Sequence, residues 1–139
     1  MNRTELLPNE QTFLHDFESS ALAPGEFHHA DHIRVVWLYL RQYPVTEVLS
    51  RVSDGIKRFA TKCGQPGLYH ETITWAYVFL VHERMQGGAR DGDWNTFKGA
   101  NADLMIWRDG ILKNYYRDLT IQSDLAKKMF LLPDKGRGE

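Results

Sequence analysis

Three histidines fall within five residues at His28, His29 and His32, in the run EFHHADHIRVVWLYL. On a helix, His29 and His32 occupy one face about a turn apart, on the same side as Ile33, Val36 and Trp37. Two imidazoles at that spacing can chelate one metal, much as Glu-x-x-His pairs do in di-iron bundles. The same spacing also fits a histidine that only hydrogen-bonds a buried carbonyl near a helix start. His28 and Asp31 project further round the helix.

A second constellation is YHETITWAY, Tyr69 to Tyr77. His70 and Glu71 open the most apolar stretch of the chain. A polar group entering such a core needs a partner, because an unpaired one costs about 1–3 kcal/mol. His70 and Thr74 share a face at i, i+4, and Glu71 lies beside Trp75 and Val78. Glu71 has a plain role available, complementing the helix dipole from the first turn. Thr72 and Thr74 can bond the backbone or orient a ligand.

The two constellations meet if their helices run parallel. The segments from His28 to Pro44 and from Val45 to Lys62 form a helical hairpin, and a further reversal leads to the helix at His70. The starts of the first and third of these helices then lie at one end of the bundle. His29, His32 and His70 are thus candidate ligands of a divalent transition metal; nitrogen-rich ligation suits Zn, Fe, Ni or Cu. Glu71 and Thr74 are the candidate catalytic residues. Glu71 would act as a fourth ligand, a partner to an imidazole or a general base, with Thr74 supporting. The substrate would be a small, partly apolar molecule in a pocket walled by Trp37, Trp75 and tyrosines. Two other readings stay open. One is a non-catalytic module binding a ligand or a partner protein, with a buried His/Thr hydrogen-bond network. The other is a metal-free enzyme using His70 and Glu71 as acid and base.

Other chemistry is poorly supplied. His82-Glu83 lies eleven residues beyond Glu71, about 16 Å along a helix, and reads as a solvated helix exit. His15 and Asp16 read as surface, and Asp103 and Asp109 as turn residues or caps. No Glu-x-x-His pair, glycine-rich phosphate loop or Gly-x-Ser-x-Gly elbow is present. Cys63 is the single cysteine of the 139 residues, so neither an intrachain disulfide nor a multi-cysteine zinc site can form. Lys and Arg total 17 against 18 Asp and Glu, a net charge of -1. That balance argues against nucleic acid as partner and against a polybasic membrane anchor. The N-terminal twenty residues lack the apolar region of a secretory signal, and no run is long enough to cross a bilayer. A soluble, cytoplasmic protein is the expectation.

The elements that must position these residues are helical. Apolar residues recur at three- and four-residue steps between marks at Pro24-Gly25, Pro44, Gly64–Gly67, Gly87-Gly88, Gly110 and Pro133. The spacing predicts helices over about 10–18, 28–44, 45–62 and 70–85, the last apolar all round and hence central. Asp93 is the predicted N-cap of a helix carrying Trp94, Phe97, Leu104 and Met105, Ser123 that of a last turn through Phe130, and a short helix is expected over about 110–119. The fold class is all-α: one domain of four main helices plus shorter ones, with a disordered tail from about residue 134.

Taken in order, the motifs are Phe27-x-His29-x-x-His32, Tyr69-His70-Glu71-Thr72, Tyr115-Tyr116 and Phe130-Leu131-Leu132-Pro133-Asp134. This run resembles a largely uncharacterised family of small all-helical proteins, over nearly the whole chain. The resemblance implies a shared fold and a site around His29, His32, His70 and Glu71. It implies no particular reaction.

Overall fold

The structure is a computed structural model, described for residues 5–89 and 92–135. Seven α-helices occur among these residues, with short 3-10 turns and no strand. The four long helices are α1 (Pro8–Glu18), α2 (His29–Leu40), α3 (Val45–Lys62) and α4 (Glu71–Arg84). The shorter ones are α5 (Trp94–Ala100), α6 (Asp118–Ile121) and α7 (Asp124–Lys128). No helix among the described residues is long and apolar enough to cross a membrane.

Local sequence accounts for most boundaries. Pro44 caps α3 in extended geometry, and α3 ends at Cys63 with Gly64 at φ 76°. There the Gly64 N–H bonds Thr61 O and the Gln65 N–H bonds Ala60 O, both at 2.9 Å. This paired closure needs a left-handed residue, a conformation in which glycine carries no Cβ penalty. Asp93 and Ser123 cap α5 and α7 by accepting from Thr96 N and Ala126 N. Both caps fall where the sequence places them.

Three later elements differ from the sequence reading, each for a tertiary reason. The helix begun at Trp94 stops at Asn101 and gives way to a 3-10 turn over Ala102–Met105. Buried Asn101 spends its amide on Phe97 O, and its carbonyl oxygen accepts from Arg84 at 2.9 Å. Arg84 also grips both carboxylate oxygens of Asp103, at 2.7 and 3.0 Å, which ties this turn to α4. The expected helix over about 110–119 splits into a 3-10 turn over Ile111–Asn114 and the separate α6. Between them, the carbonyl of Tyr115 accepts from Asp134 N and Lys135 N, so it serves the C-terminal segment instead of a continuing helix. The tail expected to be disordered from about 134 is therefore anchored at its first two residues. Asp134 further accepts from Arg117 N and from the Thr120 hydroxyl. Residues 136–139 lie outside the described ones.

The core lies between α2, α3 and α4, which pack pairwise, with α1 against α2 and α3. Ile33, Val36, Trp37, Val48, Val52, Val78 and Val81 are all essentially inaccessible there. Burial of such side chains contributes roughly 1.5–3 kcal/mol each, which makes this the main source of stability. Thr72 on α4 is also fully buried, and its hydroxyl bonds both Met129 O (2.8 Å) and Leu131 N (3.1 Å). That bridge holds the extended segment after α7 across α4.

Candidate functional site

The N-terminal turns of α2 and α4 open onto one cavity of about 530 Å³. Each helix presents a matched set at i, i+3, i+4 and i+7: His29, His32, Ile33 and Val36 from α2, and His70, Ile73, Thr74 and Tyr77 from α4. Parallel packing of the two helices through an intervening α3 brings these sets together, and α3 closes the gap with Val52 and Ile56. His29, His32, His70 and Thr74, found from sequence at two separate places, thus line one space. Glu71 does not line it. Its carboxylate accepts the hydroxyl proton of Tyr69, a wall residue, in a short contact.

The mouth is built by two loops. Leu68 stands on the 3-10 turn Pro66–Leu68 and is 70% exposed; Trp107 follows the Ala102–Met105 turn and is 59% exposed. Gly110 permits the return of this second loop: a Cβ there would lie 2.4 Å from Ile106 O. Tyr69 and Tyr77 are the tyrosines in the wall, which the sequence reading expected without assigning positions, whereas Met105 and Trp107 were not anticipated. Continuing the His70–Thr74 stripe one turn reaches Tyr77, so that signal was present. Met105 and Trp107 carry no such signal, because a loop folds them back.

The expected walls Trp37 and Trp75 are elsewhere. Trp37 follows Val36 and so points about 100° further round the helix. It is fully buried against Trp94 and Phe97, at ring distances of 5.6 and 6.1 Å. Trp75 stacks on Phe130 and donates to Ser53 Oγ.

The three imidazoles have different environments. His70 is the N-cap of α4: its Nδ1 accepts from Ile73 N at 3.1 Å, and Nε2 lies 2.6 Å from Ile121 O. A carbonyl only accepts, so Nε2 carries the proton and the ring is neutral. Both nitrogens are spoken for, and burial lowers the His70 pKa below its ordinary value, ahead of the opposing Ile121 bond. His29 lies with Nε2 at 2.9 Å from Leu104 O, so its proton is also on Nε2. That leaves Nδ1 as a lone-pair acceptor with no hydrogen-bond partner among the described residues. The His29 ring meets Tyr77 edge-on at 4.6 Å and Trp107 at 5.2 Å. His32 stacks on Phe27 at 4.2 Å and makes no hydrogen bond with a described residue. Burial, reinforced by His29 and opposed by Asp31, pushes its pKa down to about 4. Burial likewise lowers His29.

Of the other polar groups in the wall, the Tyr77 hydroxyl has no hydrogen-bond partner among the described residues, while Thr74 is engaged. The Thr74 hydroxyl donates to His70 O at 2.8 Å, and Asp31 accepts from His28 N at 3.0 Å at the start of α2. His28 itself is largely exposed at the rim, and His15 is exposed on α1. Asp103 serves Arg84, and Asp109 turns the chain at φ 53°. Among the described residues, no group of three or more His, Cys, Asp or Glu side chains is arranged to hold a metal ion. The physical reason at His70 is its double engagement: ligation would cost either the α4 cap or the Ile121 bond. Comparison of the chain with family models, with curated proteins and with solved structures finds no match.

Proposed function

We propose that this protein binds a small, predominantly apolar molecule in the cavity at the N-terminal ends of α2 and α4. The observation that carries this reading is the cavity itself. It has about 530 Å³ of space, apolar walls from three helices, and a few polar groups, of which His29 Nδ1, the His32 nitrogens and the Tyr77 hydroxyl have no hydrogen-bond partner among the described residues. That composition is characteristic of small-molecule sites. The His/Thr network around His70, Thr72 and Thr74 is then a scaffold, holding α4 and the C-terminal segment in place around the cavity.

The test is a thermal-shift screen of uncharged aromatic and aliphatic compounds, repeated on Ile73→Phe, which fills the cavity. Saturating ligand at a hundred times Kd should stabilise the protein by about 2.7 kcal/mol. The shift should vanish in Ile73→Phe. A shift of equal size in that variant would place binding elsewhere.

A second reading keeps a divalent transition metal, Zn, Fe, Ni or Cu. It is favoured by one observation: His29 Nδ1 and the nitrogens of His32 have no hydrogen-bond partner among the described residues, and the two residues stand one turn apart on α2. Two imidazoles with solvent or substrate would form the coordination sphere, and Glu71, if freed from Tyr69, would be the adjacent base. Metal content of protein purified without a histidine tag tests it. Less than a tenth of an equivalent per chain would end it.

A further inference from the structure

We propose that the cavity takes an uncharged aromatic molecule bearing a hydroxyl group, with its ring between Tyr77 and Trp107 and its O–H donated to Nδ1 of His29. The proposal rests on the cavity being a ligand site. Its first support is charge. No Asp, Glu, Lys or Arg lines the cavity among the described residues. Carboxylates beside the wall residues are otherwise employed, Asp31 at His28 N, Glu71 at the Tyr69 hydroxyl and Asp103 at Arg84. A ligand carboxylate, phosphate or ammonium would lose its hydration with no counter-ion to replace it, at a cost of several kcal/mol. His29, His32 and His70 do not supply a cation at neutral pH, since burial favours their uncharged form.

The second support is hydrogen-bond direction. His29 gives its one proton to Leu104 O, so what it offers a ligand is an acceptor. Neutral His32 has one acceptor and one donor, both without a partner among the described residues. The complement to this pair is a group that donates once and accepts once, as a hydroxyl does. The third support is shape. His29 already packs against Tyr77 and Trp107 in edge-on and tilted geometry, and His32 lies flat on Phe27. Flat aromatic faces around one polar pair favour a planar ring over a flexible chain.

The experiment titrates the full chain, near neutral pH, with 2-naphthol, naphthalene and 2-naphthoate, followed by calorimetry and tryptophan fluorescence. We expect 2-naphthol to bind about tenfold more tightly than naphthalene, roughly the 1.4 kcal/mol of one net hydrogen bond. Naphthoate should bind more weakly than either. In His29→Phe, which keeps a ring against Tyr77 and Trp107, the ratio of naphthol to naphthalene affinity should fall to about one. Equal affinity for naphthol and naphthalene, or tighter binding of naphthoate, would overturn the proposal while leaving the cavity a ligand site. No binding by any of the three would overturn the cavity reading and this proposal with it. The wild-type series decides the matter even if His29→Phe does not fold.

Discussion

His70 at the start of α4 donates from Nε2 to the carbonyl of Ile121 across 2.6 Å, while its Nδ1 caps the same helix through Ile73 N. One neutral imidazole therefore joins two parts of the chain fifty-one residues apart. It closes a helix end on one side and docks α6 on the other. His70, one of the three candidate ligands in the sequence, is in the fold bonded to two backbone groups in the wall of a cavity.

Removing that joint should cost stability whether or not metal is present. His70→Ala loses both a cap and a part-buried hydrogen bond, an expected loss of about 2–3 kcal/mol. Urea midpoints measured with and without chelator should fall equally. A loss confined to chelator-free buffer would point instead to metal ligation. His70→Asn should recover part of the loss, because it can cap α4 but does not reach Ile121.

Acid should destabilise the protein before its carboxylates titrate. His32 is held at about 4 in the folded state against 6.5 unfolded, and His29 and His70 are lowered too. Between these values the unfolded chain binds more protons, so stability rises with pH. The contribution is complete above about pH 6.5 and is lost as pH falls towards 4. For His32 it amounts to roughly 3 kcal/mol, at about 1.4 kcal/mol per unit. His32→Phe, which keeps a ring on Phe27, should flatten the dependence. An unchanged slope between pH 6.5 and 4 would show that His32 is not the titrating group.

Thr72→Val is close in shape but lacks the hydroxyl that bridges Met129 O and Leu131 N. Two part-buried backbone groups lose this partner, for an expected cost of about 1–3 kcal/mol. Amide exchange should accelerate at Leu131, beyond the general loss of stability. Uniform acceleration across α2 and α3 as well would mean that the segment unfolds only with the whole domain.

Gly110→Ala should disturb the mouth of the cavity. The new Cβ would meet Ile106 O at 2.4 Å, a backbone atom that has to shift, and Trp107 must move with it. Tryptophan emission should change and the melting temperature should drop. Ligand affinity should fall more than in Gly67→Ala, whose Cβ meets nothing within 4 Å.

Much of the fold was legible because it is encoded locally. The period of Ile33–Val36–Leu40 and Val48–Val52–Ile56, the stop at Gly64 and the caps at Asp93 and Ser123 each depend on neighbours within a turn or two. Those signals also predict that α2 and α4 run parallel, which is why His29, His32, His70 and Thr74 share a cavity. The elements after Asn101 were misread because contacts distant in sequence shape them: Arg84 on Asn101 and Asp103, and Asp134 on the segment 115–120. Trp37 was misassigned as a wall because a single step round a helix, from Val36 to Trp37, separates cavity from core.

The sequence by itself determined that the chain is helical, where most helices begin and end, and which histidines lie at one end of the bundle. These are consequences of periodicity and capping, which act over a few residues. Only the tertiary structure decided what each imidazole has left to offer. His70 is closed off by Ile73 and Ile121, His29 is reduced to one acceptor by Leu104, and His32 is left without a hydrogen-bond partner among the described residues. A ring nitrogen's chemistry depends on its hydrogen-bond partner, and the partners of His29 and His70 lie 75 and 51 residues away along the chain.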